Sequence, residues 1–188
     1  MDIKNHFLNH QLVTDSFLNN DNNFDSIRRA ADFMLESINK GGTIFSCGNG
    51  GSMCDAMHFS QELSGYFNKK RKALPAICIS DPSHITCVAN DTSFDFIFSR
   101  FLEANGKEGD CLLAISTSGN SINIINAAKE AQKKKMKVIS LSSNTGGELC
   151  KHSDVSICVD TDQTAICQEL HIVIIHSMIS YIEQKLNL

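Results

Sequence analysis

The chain has 188 residues, of which 42% are hydrophobic, and its formal net charge at pH 7 is -4. A chain of this length and composition is expected to fold as one domain over residues 1–188 with a sizeable core. Its acidic balance argues against binding to nucleic acid or to an anionic membrane, because both partners require a strongly basic face.

The cysteines and the N-terminus indicate the cellular compartment. The 8 cysteines include no Cys-x-x-Cys pair, and several lie in apolar runs where a thiol serves as a small hydrophobic group. Residues 1–6 lack the basic and apolar regions of a signal peptide, and we expect no membrane span of about 20 apolar residues. These features predict a reduced, cytoplasmic protein.

Apolar residues at helical spacing predict helices, and short apolar runs bounded by Gly, Asn or Ser predict strands. Ser52 fits the N-cap of the third helix. In chain order we expect helices over 3–18 and 24–38, a strand over 43–47, a helix over 53–67, strands over 75–80 and 110–115, a helix over 121–136, a strand over 138–141, a helical turn over 147–151, a strand over 155–159 and a helix over 165–186.

The predicted strands are apolar on both faces, which is typical of a parallel sheet covered by helices on both sides. The sequence therefore predicts an α/β fold, namely a three-layer α/β/α sandwich with a central parallel sheet, two N-terminal helices and a long C-terminal helix. The last helix is so apolar that we expect it to be buried between subunits.

A hydroxyl-rich loop, 116–121, connects a predicted strand to a predicted helix. The first N–H groups of a helix lack intrahelical partners, and the helix dipole favours negative charge there. The loop adds four hydroxyls that can donate to phosphate oxygens, those of Ser116, Thr117, Ser118 and Ser121. The alternative is an ordinary polar turn with Ser121 as N-cap, but a cap needs only one hydroxyl. We therefore expect a phosphate site that needs no Arg or Lys.

The order of motifs along essentially the whole chain resembles that of a known family. Two leading helices and a strand are followed by CGNGGS (47–52), DAMHFSQE (55–62), ISDPSH (79–84), ANDTSF (89–94), ISTSGNS (115–121) and QELHIVIIH (168–176). The STSGNS segment alone is similar to the phosphosugar-binding loop of the sugar isomerase (SIS) fold. The combination is more specific and resembles the bacterial phosphoheptose isomerases of that fold.

This resemblance implies an activity, an assembly and a cofactor. The activity is aldose–ketose isomerisation of D-sedoheptulose 7-phosphate to D-glycero-D-manno-heptose 7-phosphate, the first step of bacterial heptose synthesis for lipopolysaccharide core, capsule or another glycan. The assembly is a homotetramer with active sites at subunit contacts. The cofactor in many members is zinc, which implies one Zn²⁺ per subunit.

The resemblance also carries the family's functional positions onto this sequence. The catalytic positions match Glu62 and His176, and the metal positions match His58, Glu62, Gln168 and His176. The substrate-contacting positions match Asn49, Gly50, Gly51, Asn90, Asp91, Ser116, Thr117, Ser118, Ser121 and Gln168.

The four metal positions can also be assessed by spacing. His58 and Glu62 lie four residues apart and share a helix face, which suits one ion but equally an ordinary salt bridge. Gln168 and His176 lie on an apolar helix, where a polar side chain needs a partner. Eight helical residues rise about 12 Å, so these two reach one ion only if their side chains lean together or if they belong to different subunits. Nitrogen and oxygen ligands suit zinc but leave nickel, cobalt and iron open.

The chemistry of isomerisation suits these groups. It requires a base, a second group that exchanges protons between the oxygens, and donors or a cation that hold a developing oxyanion. Glu62 is the expected base and His176 the second acid/base group. Because a metal-bound nitrogen cannot also take a proton, either the metal releases a ligand when substrate binds or metal occupancy and catalysis are alternative states.

Several positions keep two interpretations. Asp91 bonds sugar hydroxyls or serves as a helix cap or Asx-turn. The run from Asn49 to Gly51 lets the backbone approach a ligand or is an ordinary strand-to-helix turn. For His84 and His171 we expect structural or supporting roles.

Two departures from the family pattern and two rival functions stay open. Ile166 and Tyr66 stand where many relatives carry a basic residue, so the contacts to the sugar or the phosphate can differ. The rivals are a non-catalytic tetrameric protein of the same fold, of the type that associates with the replication initiator, and an isomerase of another sugar phosphate. The joint presence of Glu62, Gln168 and His176 favours the enzyme.

Overall fold

The computed structural model describes residues 3–187 and consists of helices around one sheet. The helices are α1 Ile3–Leu18, α2 Asp21–Asn39, α3 Gly51–Ser64, α4 Pro82–Asp91, α5 Ile97–Asn105, α6 Ile122–Lys133 and α7 Thr164–Lys185, with short 3₁₀ helices at Phe94–Phe96 and Leu149–His152. The strands are β1 Ile44–Gly48, β2 Ala76–Cys78, β3 Cys111–Ile115, β4 Lys137–Ser143 and β5 Val155–Val159.

The five strands of the described chain form a parallel sheet in the order β2-β1-β3-β4-β5. The chain leaves β1 towards one edge of the sheet and leaves β3 towards the other. The loops after β1 and β3 therefore diverge and leave a crevice at the carboxyl ends of these neighbouring strands, where open α/β sheets bind ligands.

Alternate residues of the central strands enter two separate apolar cores, which explains their apolar character on both faces. Ile44 and Leu113 belong to the core beneath α2, α3 and α7. Phe45 and Leu112 belong to the core beneath α4, α5 and α6. This arrangement is the predicted three-layer sandwich of the SIS type, with two N-terminal helices and a long C-terminal helix.

The differences from the predicted elements lie at turns and in one segment. The helix after β1 begins at Gly51 with Gly50 as its N-cap, so the predicted cap at Ser52 is wrong. Two helices, α4 and α5, occupy a segment for which the sequence predicted no element. Asp81 caps α4 by accepting a hydrogen bond from the His84 N–H at 2.8 Å.

Helix α7 is long and apolar enough, by length and composition alone, to cross a membrane, which differs from the expectation of no such segment. Half of its most apolar window is buried inside the protein. It packs against α2 and α3 and supplies much of one core. Its apolar character is thus that of a core helix.

The buried imidazole of His171 on α7 serves a structural role, as expected. Its Nε2 lies 3.2 Å from the Ser142 carbonyl oxygen and 3.3 Å from the Cys167 Sγ. Burial lowers the pKa of His171 to about 4, although the hydrogen bond with Ser142 opposes that shift. The ring is therefore neutral in the folded protein.

We expect His171 to reduce stability at acidic pH. In the unfolded chain the ring takes a proton near pH 6.5, whereas the folded ring stays neutral down to about pH 4. Because the unfolded state binds more protons in this window, the free energy of unfolding falls by roughly 1.4 kcal/mol per unit as pH decreases. Urea unfolding at pH 7 and pH 5, at fixed protein concentration, should give a loss about 2 kcal/mol smaller in His171→Gln. An unchanged pH dependence in that variant contradicts this role.

Candidate active site

A cleft of about 320 Å³ opens where β1 and β3 end. Three chain segments line it: the turn after β1, the loop after β3 and the first turn of α7. The lining residues are Asn49, Gly50, Gly51, Ser52, Ile115, Ser116, Thr117, Ser121, Thr164 and Gln168. Seven of the residues predicted to contact substrate are among them.

The loop 116–121 is fixed by a neighbouring turn. Gly119 has a φ of +63°, and a Cβ on it would overlap the carbonyl oxygen of Gly146. The Leu149 N–H donates to the Gly119 carbonyl oxygen at 2.9 Å, and the Ser143 N–H donates to the Thr117 carbonyl oxygen at 2.8 Å. The loop therefore keeps its shape without a ligand.

The four hydroxyls of this loop have different environments. Ser116 is buried, and its hydroxyl donates to the Ser121 Oγ at 3.2 Å. Thr117 and Ser121 are half-buried and line the cleft. Ser118 is exposed, does not line the cleft, and its Oγ accepts from the Asn120 N–H at 3.1 Å. Three of the four predicted hydroxyls thus lie in the cleft.

Three helix N-termini meet at this cleft without side-chain caps. Gly50, Ser121 and Gln163 occupy the N-cap positions of α3, α6 and α7, and among residues 3–187 none of them caps its helix through its side chain. In contrast, Asn20 and Asp81 cap α2 and α4. The uncapped N–H groups and the positive ends of three helix dipoles therefore favour an anion in the cleft.

A reciprocal amide pair, which the sequence analysis missed, holds the turn after β1 to α6. The Asn49 Nδ2 donates to the Asn123 Oδ1 at 2.9 Å, and the Asn123 Nδ2 donates to the Asn49 Oδ1 at 2.9 Å. Asn123 is buried and lies 74 positions along the chain from Asn49. No local pattern could have indicated this pair.

Gly51 and Gln168 join α3 to α7 at the floor of the cleft. A Cβ on Gly51 would lie 2.5 Å from the Gln168 Oε1, so a side chain at this position would displace the amide. Gln168 is thus placed among the cleft residues, as predicted for a substrate contact.

A second group of polar side chains lies further along the same two helices. The ligand atoms of His58, Glu62 and His176 lie within 4.8 Å of one another. The His58 Nε2 is 3.0 Å from the Glu62 Oε1, and the rings of His58 and His176 meet edge to face at 5.1 Å. The His176 Nε2 is buried without a hydrogen-bond partner in the described part of the chain. The structure thus gathers three of the four predicted metal ligands.

Asp55 is a residue that the sequence analysis missed. It shares a face of α3 with Gly51, His58 and Glu62, at helical spacings of three and four. Burial raises the pKa of Asp55 to about 6, although the neighbouring His58 opposes the shift. Its Oδ2 is buried with no hydrogen-bond partner among residues 3–187. A second carboxyl group therefore lies on α3 between the cleft and the cluster of His58, Glu62 and His176.

Comparison with known proteins identifies the family. A model of the SIS domain family matches residues 13–143. The phosphoheptose isomerase of Cytophaga hutchinsonii is 51% identical over 177 residues, which cover 93% of this chain and 92% of that protein. Solved structures of phosphoheptose isomerases from Neisseria gonorrhoeae and Francisella tularensis superpose with TM-scores of 0.91 and 0.92, each at 36% sequence identity. Each match covers 97% of this chain, and it covers 97% of the Neisseria chain and 96% of the Francisella chain.

This chain belongs to the phosphoheptose isomerase family. Membership makes it a phosphosugar isomerase, an enzyme that must hold a phosphate and move protons. The structure places Ile166 in the core and Tyr66 on the surface, 57% exposed.

Two of the family's substrate positions stand apart from the cleft. Asn90 and Asp91 form the exposed last turn of α4, and neither lines the cleft. The Asn90 Nδ2 donates to the Asp91 Oδ1 at 2.8 Å, and the thiol of Cys87 lies 3.5 Å from the Asp91 Oδ2. Within one chain, therefore, these side chains bond to each other, and their contact with a sugar stays a prediction.

We expect Gly119→Ala to destabilise the loop 116–121. The alanine must adopt a positive φ, which costs about 1 kcal/mol, and its Cβ must also displace the backbone of Gly146. Gly41→Ala is the matched control, because Gly41 has a φ of +74° but open space around its Cβ position. Urea unfolding should give a larger loss of stability for Gly119→Ala. Equal losses for the two variants would contradict a steric role for the contact with Gly146.

Proposed function

We propose that this protein is an aldose–ketose isomerase that converts D-sedoheptulose 7-phosphate to D-glycero-D-manno-heptose 7-phosphate through an enediolate. Family membership supports this substrate, because the named relatives are phosphoheptose isomerases. The pathway served is bacterial heptose synthesis, for lipopolysaccharide core, capsule or another glycan.

The observation that carries the proposal is the spacing of two polar groups along α3 and α7. Gly51 and Gln168 lie at the anion cleft, and His58, Glu62 and His176 lie further along the same helices. The seven residues from Gly51 to His58 rise about 10 Å. A chain-extended sugar phosphate held by its phosphate in the cleft would therefore present its carbonyl end to the histidine cluster.

The phosphate would be held by neutral donors. Ser116, Thr117 and Ser121 offer hydroxyls at the cleft, and Ser118 is the fourth proposed contact at its rim. The N-terminal amides of three helices add further donors. No Lys or Arg lines the cleft in the part of the chain that the structure describes. Asn49, Gly50 and the other cleft residues would complete the contacts.

Glu62 is the proposed general base. Its side chain is 14% exposed, and its Oε1 is oriented by the His58 Nε2 at 3.0 Å. A carboxylate shielded from water and held in one orientation suits abstraction of a weakly acidic proton next to a carbonyl. When no metal holds it, His176 would exchange the proton between the two oxygens, because one of its ring nitrogens lies within 4.8 Å of the ligand atoms of His58 and Glu62.

Zinc is the proposed cofactor, one ion per subunit. The donor set fits, because two imidazoles and a carboxylate converge and the buried His176 Nε2 needs a partner. His58, Glu62 and His176 would hold the ion. Gln168 lies in the cleft, about 12 Å along α7 from His176, so it would be the fourth ligand when supplied by a neighbouring subunit. When bound, such an ion supplies positive charge that stabilises a developing oxyanion.

The rival functions fit these observations less well. A non-catalytic binding protein of the same fold needs the cleft but has no use for the cluster of His58, Glu62 and His176. An isomerase of another sugar phosphate would use the same chemistry. The identity to phosphoheptose isomerases over nearly the full chain favours the heptose substrate.

A homotetramer with active sites at subunit contacts is proposed from the apolar surface. On α1, Ile3, Phe7 and Leu12 are exposed by 81%, 70% and 67%. On α7, the exposed Val173 lines a surface groove of about 520 Å³ together with His176. Apolar surface around a candidate catalytic residue favours a second subunit that closes the site. For the assembled protein we propose a cytoplasmic location and neither nucleic acid nor membrane as a partner.

We expect the purified protein to form aldoheptose phosphate from sedoheptulose 7-phosphate, and Glu62→Gln to lose turnover by at least about 100-fold. The amide is nearly isosteric, so the fold should persist, but it cannot accept a proton. Product analysis measures isomerisation, and solvent deuterium incorporation into the sugar measures proton transfer.

The control for this experiment is Glu103→Gln, which removes an exposed carboxylate on α5. It should retain wild-type turnover. Bound zinc is measured in parallel, because the amide is also a poorer metal ligand. Near-normal isomerisation by Glu62→Gln contradicts its role as base, and a wild-type protein without activity on this substrate contradicts the function.

We expect a tetramer in solution at micromolar concentration, and Phe7→Glu to weaken it. Phe7 is exposed within one chain, so the charge should leave the fold of the subunit intact while disfavouring burial at a contact. Asn5→Glu on the same helix is the control, because it adds the same charge at an exposed polar position. Sedimentation velocity measures both, and a stable wild-type monomer would refute the assembly.

A further inference from the structure

A buried ion pair connects the segment after α3 to α7. The Arg71 Nε donates to the Glu183 Oε1 at 2.6 Å, and the two side chains are 1% and 6% exposed. Burying two charges is costly, and an apolar pair of similar volume often stabilises a fold equally well. The pair therefore calls for an explanation beyond stability.

The remaining nitrogens of Arg71 hold the end of α3. The guanidinium donates to the carbonyl oxygen of Glu62 at 2.7 Å and to that of Leu63 at 2.8 Å. These carbonyls belong to the last turn of α3, where helical partners are lacking and a cation is favoured. The backbone of the proposed base is thus fixed by Arg71.

The same segment also reaches the other half of the cluster. The ring of Phe67 packs against that of His176 at 5.3 Å, and the Asn68 Nδ2 donates to the Glu183 Oε2 at 3.4 Å. Glu183 lies seven residues, about two turns, beyond His176 on α7. One short segment thus contacts the helix turn of Glu62 and the ring of His176.

We propose that Arg71 and Glu183 are positioning residues that set α3 against α7, and with it the placement of Glu62 relative to His176. The proposal rests on the proposed function for its catalytic readout. The planar guanidinium is essential, because it serves one carboxylate and four backbone carbonyls, those of Glu62 and Leu63 and, at 3.4 and 3.2 Å, those of Gly65 and Lys72. A lysine ammonium cannot reproduce this fork.

The variants are chosen to retain the fold. Arg71→Lys keeps the charge but loses the fork, and Glu183→Gln keeps an acceptor oxygen but loses the charge. The double variant Arg71→Met with Glu183→Met replaces the pair by apolar side chains and removes any uncompensated buried charge. The exposed pair Arg100 and Glu103 supplies the controls Arg100→Lys and Glu103→Gln.

The measurements are kcat and KM for sedoheptulose 7-phosphate at saturating zinc, zinc affinity by chelator competition, and the melting temperature. We expect kcat and zinc affinity to fall by about 10- to 100-fold in both single variants, with KM changed by less than about threefold. The double variant should match the wild-type melting temperature more closely than the single variants do, yet remain impaired in kcat and zinc affinity. The controls Arg100→Lys and Glu103→Gln should keep the kcat, KM, zinc affinity and melting temperature of the wild type.

A purely structural pair would give a different pattern. The single variants would then melt at lower temperature but keep wild-type kcat and zinc affinity well below the transition, or the double variant would recover both. Either result overturns the proposal. If the wild type binds zinc but does not isomerise the heptose phosphate, the proposed substrate is wrong, and the zinc affinities of the variants still test the role of Arg71 and Glu183. If the wild type neither binds zinc nor isomerises the heptose phosphate, both proposals fail.

Discussion

The packing of α3 against α7 is the constraint on which the proposed site depends. At one end Gly51 of α3 lies against the side-chain amide of Gln168 on α7. Further along they bring His58 and Glu62 to His176. Each helix begins at the carboxyl edge of the sheet with an uncapped N-terminus, so the packing that buries the apolar core also orients the polar groups. A shift of α7 by one turn would therefore separate Gln168 from Gly51 and His176 from His58 and Glu62.

Desolvation shifts the pKa values of two buried groups, Asp55 on α3 and His171 on α7, in opposite directions. It raises the pKa of Asp55 to about 6 and lowers that of His171 to about 4, because burial disfavours the charged form of both. His171 has partners in Ser142 and Cys167 and contributes to the core. The Asp55 Oδ2, the His176 Nε2 and also the His171 Nδ1 are buried without partners within residues 3–187. Asp55 and His176 both lie beside His58, where a bound ligand or ion would satisfy them.

The parts that were predictable from sequence are those with a local cause. Buried parallel strands are apolar on both faces, so all five were found, and β5 was found with its exact bounds. Helix α4 was missed because only Val88 in it is buried, which leaves no apolar stripe to detect, although Asp81 and Pro82 carried an N-terminal signal. The meeting of His58 and Glu62 with His176, and that of Asn49 with Asn123, depends on tertiary packing, so spacing alone could not establish either.

A phosphate held in the cleft as proposed would have its charge compensated by helix N-termini, since no Lys or Arg among residues 3–187 lines the cleft. Each helix N-terminus is equivalent to roughly +0.5 elementary charge, so three of them supply roughly +1.5, close in magnitude to the −1.5 to −2 of a phosphate monoester at neutral pH. Ile166 on α7 is fully buried in the core, where a charged side chain would lose its hydration without a partner. Dipoles fixed by the fold keep their orientation when the ligand leaves, whereas a flexible lysine or arginine would have to be ordered at each binding event. The absence of a cation in this cleft is therefore compatible with tight phosphate binding, provided that the α3, α6 and α7 N-termini remain uncapped.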